Sequence, residues 1–416
     1  MVNIDNIKNI TIIGTGLMGG YIAQLALLAG LEKVTLNDIK KESIEKCLDR
    51  IENGAYDEKE GLRAIESARK MADGLTADLL LERLVIEMDL TKAVEDADFI
   101  FEVVPEILEI KQELFKKLGD LAPKHAIFAS NSSTIDISKI AEYSGRPEQV
   151  LGIHLFIPLF GNRLVEVIKG KNTSDEVMNT CIALGEKFPC PYFKGKMYLA
   201  RVEKAKPGFI MNRILSVLGI YLNWVNAKAI KKGISWEEID SGVSISGGNM
   251  GWLGMLDYSG LDVIHDSLTY LHDALTLDIE VPEFIIESVK SGNLGAKTGK
   301  GYFSWPKGRL QKIDKTEQTG ASTLEKLGFG DVGEMIEDLM AIMANEGCRL
   351  LDEGVVSGYR VLNKVMAAMN LPSAFSMARR NYEKWIIRLE RLAEKTGKNY
   401  LKPCNLLKSG DFLQMK

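Results

Sequence analysis

Two residues near the middle of the chain have the types and the spacing for acid–base chemistry. His154 ends the apolar run 150–154, and Glu166 lies twelve positions later within the run 164–167. Short apolar runs of this kind predict buried strands, and two neighbouring strands would bring these side chains into contact. A carboxylate beside an imidazole fixes its tautomer and favours its protonated form, as a general base near neutral pH requires. A core histidine satisfied by a nearby glutamate is the structural alternative.

A glycine-rich turn near the N-terminus has the pattern of a dinucleotide site. The segment Gly14-Thr-Gly-Leu-Met-Gly19 lies between a predicted strand and a predicted helix, and a second predicted strand ends at Asp38. In this pattern the glycines permit a tight turn, close approach of a pyrophosphate and close helix packing, while the acid binds the ribose hydroxyls. Asp38 would repel a 2'-phosphate, which favours NAD, although Lys40 and Lys41 leave NADP open. A βαβ unit without a nucleotide is the alternative.

Composition narrows the classes of function. The chain has 416 residues, 46% hydrophobic and 26% charged, with a net charge of -5 and no strongly basic stretch, which excludes nucleic acid as an expected partner. We find no signal-peptide pattern and no apolar run of about 18 residues, so neither secretion nor a membrane span is expected. The five cysteines lack metal-ligand spacing, so no metal site is expected, and they are interpreted as free thiols in a reducing cytoplasm.

The elements that must position these residues fall into two classes. Residues 1–204 predict an α/β Rossmann-type domain with a doubly wound sheet, interrupted at about 40–87 by a helical arm with helices at 40–53, 57–72 and 76–87. Ligands gather beyond the carboxyl ends of parallel strands. Glu106 and Ser133 each follow a predicted strand and are therefore expected where cofactor and substrate meet. For residues 131–133 a plain helix cap is the alternative.

The sequence changes character near Pro207 and is almost entirely helical beyond it. We predict an all-α C-terminal domain at 205–305, a linker at 306–330 and a second, degenerate copy of the helical domain at 331–416. The repeat rests on residues 229–233 and 350–354, which match in pattern at an offset of 121. A generic pair of α-hairpins is the alternative.

Taken together, the motifs resemble the L-3-hydroxyacyl-CoA dehydrogenase family, which includes 3-hydroxybutyryl-CoA dehydrogenases, over about residues 7–305, with a duplicated C-terminal helical domain after it. The matching segments are Gly14-Thr-Gly-Leu-Met-Gly19 with Asp38, Val104-Pro-Glu106 with Lys111, Asn131-Ser-Ser133, His154 through Leu164-Val-Glu-Val167, Pro207-Gly-Phe-Ile-Met-Asn212-Arg213, Asp257-Tyr-Ser-Gly-Leu-Asp262 and Lys297-Thr-Gly-Lys-Gly301.

The resemblance implies reversible NAD-dependent oxidation of an L-3-hydroxyacyl-CoA to a 3-oxoacyl-CoA, a reaction of fatty acid β-oxidation, in a cytoplasmic enzyme. It gives His154 the role of catalytic base and Glu166 that of its orienting partner, and it places Ser133 and Asn212 around the reacting oxygen. The positions that it assigns to NAD are Gly14, Gly16, Leu17, Met18, Gly19, Asp38, Glu106, Lys111, Asn131 and Lys297.

The chain also departs from the family. Ile157-Pro158 replaces an Asn-Pro pair, and Phe160-Gly-Asn-Arg163 replaces a more apolar turn. Gly251-Trp-Leu-Gly254 replaces Gly-Pro-Phe-Glu, so we expect Trp252 to reshape the acyl pocket towards a short or unusual acyl group. The helical arm, which offers basic residues to CoA in the family, has an acidic balance here. The basic side chains available there are Arg50, Lys59, Arg63 and Arg69.

These departures leave two other functions open. A relative that oxidises a free hydroxy acid would use the same His154 and Glu166 without CoA, and a dinucleotide-binding protein without turnover would need neither. The tandem helical copy predicts a pseudo-dimeric core within one chain, in a monomer or a homodimer. We find no polar constellation in the second copy, so its expected role is packing.

Overall fold

The computed structural model describes residues 4–54, 58–72, 74–156, 162–190, 196–242, 251–275, 280–306, 328 and 332–415. The chain divides into two compact units, Met1–Lys206 and Pro207–Lys416. The finer division into a linker at 306–330 and two helical copies stays a prediction. The family departures within residues 157–161 lie outside the described residues.

The first unit is built on one sheet of eight described strands in the order β3-β2-β1-β4-β5-β6-β7-β8. All neighbouring pairs are parallel except β6 and β7, which are antiparallel. The strands are β1 Asn9–Ile13, β2 Lys33–Asn37, β3 Leu84–Ile86, β4 Phe99–Glu102, β5 Ile127–Ser130, β6 Val150–Leu155, β7 Leu164–Ile168 and β8 Tyr198–Val202. Strands β4 to β7 are buried along their whole length, as expected of a sheet that is covered on both faces.

Helices connect the strands and form the covering layers. They are α1 Leu17–Leu28, α2 Lys41–Asn53, α3 Leu62–Ser67, α4 Ala77–Leu81, α5 Leu90–Val94, α6 Leu108–Leu121, α7 Ile137–Ala141 and α8 Asp175–Gly185. Residues 19–27 of α1 are buried without interruption. This helix therefore lies inside the unit, against the core that includes β1 and α2. The α/β doubly wound fold predicted for this part of the chain is confirmed.

Two predicted elements of this unit are wrong in detail. The helix expected at 76–87 ends at Leu81, and residues 84–86 form β3, which pairs with β2 at the edge of the sheet. Tertiary pairing decides this stretch, because Val85 and Ile86 are β-branched and suit a strand. The helix expected at 57–72 is reduced to a 3-10 turn at Glu58–Glu60 and α3 at Leu62–Ser67. Strand β8, which pairs with β7, was not predicted.

The strand order creates the edge at which ligands are expected. β1 pairs with β2 on one side and with β4 on the other. From β1 to β3 the chain adds strands towards one edge of the sheet, and from β4 onwards it adds them towards the other edge. In doubly wound sheets the crevice beyond the carboxyl ends of such strands is the usual binding site. The segments that follow β1, β4 and β5 at this edge begin at Gly14, Val103 and Asn131.

The second unit is mainly helical in its described parts, with isolated β-bridges at Lys300. Its helices are α9 Met211–Lys231, α10 Trp236–Gly242, α11 Trp252–Ser259, α12 Leu261–Leu275, α13 Glu283–Lys290, α14 Val332–Asp352, α15 Tyr359–Ala368, α16 Ala374–Thr396 and α17 Asn405–Ser409. Helix α14 packs against both α9 and α16. Helices α9 and α14 have the same length of 21 residues, and each is followed by a glycine with positive φ, Gly233 and Gly354.

A buried carboxylate organises the middle of this unit. Asp257 accepts hydrogen bonds from the backbone N–H groups of Tyr302 (2.8 Å) and Phe303 (2.9 Å) and from Trp305 Nε1 (2.8 Å). Burial raises the pKa of Asp257, and these donors oppose that effect. A Cβ at Gly301 would collide with the Asp257 carboxylate, which explains why this motif needs glycine there.

Within the described residues no helix is both long enough and apolar enough to cross a membrane. All five cysteines are free thiols, as the sequence predicted.

Candidate active site

The predicted acid–base pair is in contact and is joined by a third residue. His154 Nδ1 lies 2.9 Å from Glu166 Oε2, and His154 Nε2 lies 3.1 Å from Ser133 Oγ. His154 is 4% exposed and Glu166 is fully buried. An ionised Glu166 accepts from Nδ1–H, which leaves the Nε2 lone pair directed at the Ser133 hydroxyl. The resulting Ser-His-Glu line has the arrangement of a base held in one tautomer by a carboxylate.

Strand register brings the pair together. His154 and Glu166 are directly opposite each other in the antiparallel ladder of β6 and β7, where opposing side chains point to the same face about 5 Å apart. Asn162 spans the gap between the strands, since its Nδ2 donates to Phe156 O at 3.2 Å and its Oδ1 accepts from Leu164 N at 3.1 Å. Phe156 also packs edge-on against the imidazole, with ring centroids 4.4 Å apart.

Glu106 holds the turn that carries Ser133. One oxygen, Glu106 Oε1, accepts from Ser132 Oγ at 2.5 Å, from the backbone N–H groups of Ser133 and Thr134 at 3.0 Å each, and from Thr134 Oγ1 at 3.1 Å. Burial alone would raise the pKa of this carboxyl, but the Lys111 ammonium and these donors outweigh it, so the pKa lies below its ordinary value. Glu106 and Ser133, predicted separately to follow β4 and β5, are therefore brought together.

A buried ion pair beneath this turn was not predicted. Lys111 Nζ lies 2.6 Å from Glu102 Oε1 and 3.3 Å from Glu106 Oε2, and the Lys111 and Glu102 side chains are 1% and 0% exposed. The other Glu102 oxygen accepts from Ser130 Oγ at 2.5 Å. The sequence held a signal for Glu102, because an acid within the apolar run 99–104 requires a buried partner. The role of Lys111 in binding NAD stays a prediction.

The glycine-rich turn fits a dinucleotide. Gly14 has φ +101°, and a Cβ there would collide with Val103 O; a Cβ on Gly19 would collide with Gly14 O. Gly16 differs, since a Cβ there would meet no atom within 4 Å. Gly16 is thus not needed for folding of the turn, and the open space beside it suits a group that approaches the backbone closely. The turn precedes α1, whose N-terminus favours a phosphate.

Asp38 faces the same turn. Its Oδ2 accepts from Thr15 N at 2.8 Å and from Thr15 Oγ1 at 2.9 Å, and its Oδ1 accepts from Lys40 N at 2.9 Å. The carboxylate is half-buried at the end of β2, where an acid that binds ribose hydroxyls is expected. Leu17 and Met18, at the start of α1, are also half-buried.

The remaining predicted residues have the following surroundings. Asn131 Oδ1 accepts from Leu155 N at 3.3 Å, which ties the end of β5 to β6. Asn212 is half-exposed in the first turn of α9, in the second unit. Lys297 Nζ contacts both Asp262 oxygens at 2.5 Å. The roles of all three in binding or catalysis stay predictions.

Trp252, which was expected to reshape the acyl pocket, is buried, and its effect on that pocket stays a prediction. Trp252 is 5% exposed, and its ring lies 3.5 Å from the Cβ position of Gly219. Among the described residues, its Nε1 has no hydrogen-bond partner. In the arm, Arg63 pairs with Glu52 at 2.9 Å and with Asp78 at 2.7 Å. One of the four basic side chains considered for CoA is therefore already engaged with acids.

A Rossmann-type sheet and a glycine turn with its acid place the chain in the class of NAD-binding α/β proteins. Family comparison makes this specific. The family model for the 3-hydroxyacyl-CoA dehydrogenase NAD binding domain matches residues 9–189. The model for the 3-hydroxyacyl-CoA dehydrogenase C-terminal domain matches residues 208–305. Together these matches cover more than half of the chain, which therefore belongs to the 3-hydroxyacyl-CoA dehydrogenase family, as its motifs predicted.

Individual relatives agree with this family. The fatty acid oxidation complex subunit alpha of Shewanella putrefaciens (strain CN-32 / ATCC BAA-453) is 30% identical over 359 residues, which are 85% of this chain and 47% of the relative. The chain thus spans about half the length of the curated relatives it matches.

Two solved structures of 3-hydroxybutyryl-CoA dehydrogenases are similar to this chain. The (S)-3-hydroxybutyryl-CoA dehydrogenase of Ralstonia eutropha is 27% identical with a TM-score of 0.59, covering 72% of this chain and 99% of that one. The 3-hydroxybutyryl-CoA dehydrogenase of Escherichia coli K12 has a TM-score of 0.74 over 98% of this chain and 99% of that one. At 23% identity the latter shows a shared fold alone.

Proposed function

We propose that the chain interconverts an L-3-hydroxyacyl-CoA and the corresponding 3-oxoacyl-CoA, with His154 as general base and acid. The observation that supports this most directly is the contact of His154 with Glu166 on one ring nitrogen and with Ser133 on the other. By this proposal, a substrate hydroxyl would exchange its proton with His154 Nε2. Family membership supplies the substrate class.

In the oxidation, His154 Nε2 takes the proton of the substrate hydroxyl, and Glu166 stabilises the imidazolium that forms. Ser133, and Asn212 by the family resemblance, hydrogen-bond the reacting oxygen and stabilise its developing charge. NAD, when bound, would supply the acceptor for the hydride that leaves the same carbon. In the reduction, the imidazolium returns the proton to the oxygen. Burial of Glu166 strengthens its hold on Nδ1–H, because little water competes for it.

The residues that would hold NAD are those of the glycine turn and its acid. Gly16 leaves space for the pyrophosphate, the start of α1 favours its charge, and Asp38 would exchange its Thr15 contacts for the ribose hydroxyls. Glu106 and Asn131 follow the neighbouring strands β4 and β5. The other residues proposed to hold NAD are Leu17, Met18, Lys111 and Lys297.

The charges of the helical arm bear on whether CoA is the carrier of the acyl group. The ion pairs of Arg63 with Glu52 and Asp78 reduce the positive charge available to phosphates and favour a free hydroxy acid as the second candidate substrate. Rates of NADH oxidation with acetoacetyl-CoA and with free acetoacetate, measured at equal concentration, distinguish the two. Activity confined to the thioester supports CoA, and equal or greater activity with the free acid supports the second candidate.

The His154→Gln variant tests the catalytic assignment. General acid–base catalysis contributes roughly 10²- to 10⁴-fold, so kcat should fall by about that factor while NADH affinity is retained. His125→Gln serves as the matched control, because His125 is in the same unit but its side chain is 53% exposed and pairs with Asp98. A His154→Gln variant with unchanged kcat would overturn the assignment.

The assembly proposal is a pseudo-dimeric helical core within one chain, in a monomer or a homodimer, with no membrane or nucleic-acid partner and a cytoplasmic location. The equal lengths and the contact of α9 and α14 support an internal pair of related helices. Light scattering of the full chain tests it, and a homodimer joined through residues 205–305 would contradict it.

A further inference from the structure

The first turn of α9 is held by an unusually complete set of ion pairs. Arg213, the residue after Asn212, is 1% exposed. Its Nε lies 2.5 Å from Glu346 Oε1, and its Nη1 and Nη2 each lie 2.5 Å from an oxygen of Glu353. All three guanidinium nitrogens are thereby fixed. Such a bidentate arrangement restricts the guanidinium in direction as well as in position.

Both acids come from the second helical segment of the chain. Glu346 lies on α14 and Glu353 directly after it. Glu346 is fully buried, and its other contacts are Arg349 Nη1 at 2.8 Å and the Tyr400 hydroxyl at 3.2 Å. The expectation that this segment has no polar constellation is therefore wrong. A signal existed, because the pair Asn345-Glu346 interrupts the otherwise apolar run 339–348.

The backbone that leads into α9 is strained at the same place. Gly208 and Phe209 both have positive φ, +76° and +45°. Phe209 carries a bulky side chain that is 2% exposed, and such a residue keeps a left-handed conformation only when its surroundings impose it. Arg213 N donates to Gly208 O at 3.0 Å and closes this turn. The Arg213 ion pairs thus anchor a strained segment.

We propose that Glu346 and Glu353 are positioning residues for the dehydrogenation: they hold Arg213 and so orient the Asn212 amide. This inference rests on the proposed function, in which Asn212 contacts the reacting oxygen. Adjacent helix residues are related by a fixed rotation and a rise of about 1.5 Å, so fixing Arg213 fixes the direction and height of Asn212. The second helical segment thereby contributes to turnover as well as to packing.

Asp338 provides a matched control for a purely structural role. It lies on the same helix α14, is 4% exposed, and also contacts α9, by accepting from the Tyr221 hydroxyl at 2.9 Å. Arg388 lies 2.6 Å from it, so Asp338 is likewise a buried acid within an ion pair. Tyr221 is nine residues beyond Asn212, about 13 Å along the helix axis, so Asp338 does not fix the first turn.

The experiment compares Glu346→Gln with Asp338→Asn in the full chain. Each variant is also made in an Asn212→Ala background. We measure kcat, the KM for NADH and the KM for acetoacetyl-CoA, and we follow unfolding by tryptophan fluorescence. All five tryptophans lie in the unit 207–416, so this signal reports on the helices concerned.

We expect both variants to lose stability, but only Glu346→Gln to lose kcat, by about tenfold or more, since a displacement of about 1 Å can cost 10²-fold. The KM for NADH should stay within about twofold, and Glu346→Gln should have no further effect on kcat once Asn212 is alanine. Equal kcat values for Glu346→Gln and Asp338→Asn, or an undiminished effect of Glu346→Gln in the Asn212→Ala background, would overturn the proposal.

A milder variant covers the case in which Glu346→Gln does not fold. Glu353 is 35% exposed, so Glu353→Gln loses the bidentate contact while the buried Arg213 keeps its ion pair with Glu346. It should lower kcat severalfold with an unchanged KM for NADH, and an unchanged kcat would contradict the proposal. Failure of the proposed function is recognised separately, since the unmodified chain would then show no turnover of acetoacetyl-CoA.

Discussion

Replacing Glu102 by glutamine tests whether the ion pair beneath the Ser133 turn supports the first unit. The substitution keeps the shape of the side chain and removes its charge. Lys111 Nζ would lose its partner at 2.6 Å and keep Glu106 at 3.3 Å and Val104 O at 3.5 Å. The buried ammonium would then be only partly compensated.

The cost of this change follows from burial. Removing one partner of a buried ion pair costs about 3–5 kcal/mol, and the remaining Glu106 contact places Glu102→Gln at the lower end, about 3 kcal/mol. For a unit of 150–250 residues each kcal/mol lowers the Tm by about 2–4 °C, so the expected decrease is about 6–12 °C. The Ser130 hydroxyl still finds a partner, because a glutamine amide both donates and accepts.

Thermal unfolding of the full chain, followed by far-UV circular dichroism, measures the effect. The double variant Glu102→Gln with Lys111→Met removes both charges and should recover to within about 1 kcal/mol of the unmodified chain, because no charge is left unpaired in the core. A single variant as stable as the unmodified chain would refute this reasoning. So would a double variant whose loss equals the sum of the two single losses.

Three further outcomes are expected. Gly16→Ala should leave unfolding unchanged but weaken NADH binding about tenfold in a fluorescence titration, because its Cβ enters the open space beside the turn; unchanged affinity would argue against a pyrophosphate there. The lowered pKa of Glu106 implies stability that is present above its ordinary value of 4.5 and is lost as the pH falls below it. Urea unfolding should therefore show Glu106→Gln differing from the unmodified chain more at pH 6 than at pH 4, and a constant difference would contradict this. The hydrogen bond with Cys348 is the main cause that lowers the pKa of Cys404 to about 7, so alkylation of Cys404 should be half-maximal near pH 7 by peptide mass spectrometry, and its midpoint should rise in Cys348→Ala.

The sequence predicted the parts of the site that depend on local pattern. The glycine turn, the acid after β2 and the alternation of residues in β6 and β7 are local features, so Asp38, His154 and Glu166 could be identified by position and type. The contact between His154 and Glu166 followed from expecting two neighbouring strands, and the ladder confirms that they are neighbours.

What could not be predicted depends on distant pairing. Residues 84–86 form a strand only because β2 is beside them, and no periodicity in so short a segment identifies it. Arg213 and Glu353 are 140 positions apart in the chain. Lys111 and Glu102 form a buried ion pair, and the burial of both side chains is known only from the fold. Charged residues in apolar runs indicate that partners exist, but without a fold they do not indicate which partners.

The antiparallel pairing of β6 and β7 has a consequence for how such a site can diverge. His154 and Glu166 are opposed through the ladder that runs from Gly152 with Ile168 to Leu155 with Val165. The contact of these two side chains therefore depends on the register of β6 with β7. An insertion inside β7 would turn Glu166 to the opposite face. A related chain that keeps this pair must therefore keep the register of these two strands, whatever else in the unit changes.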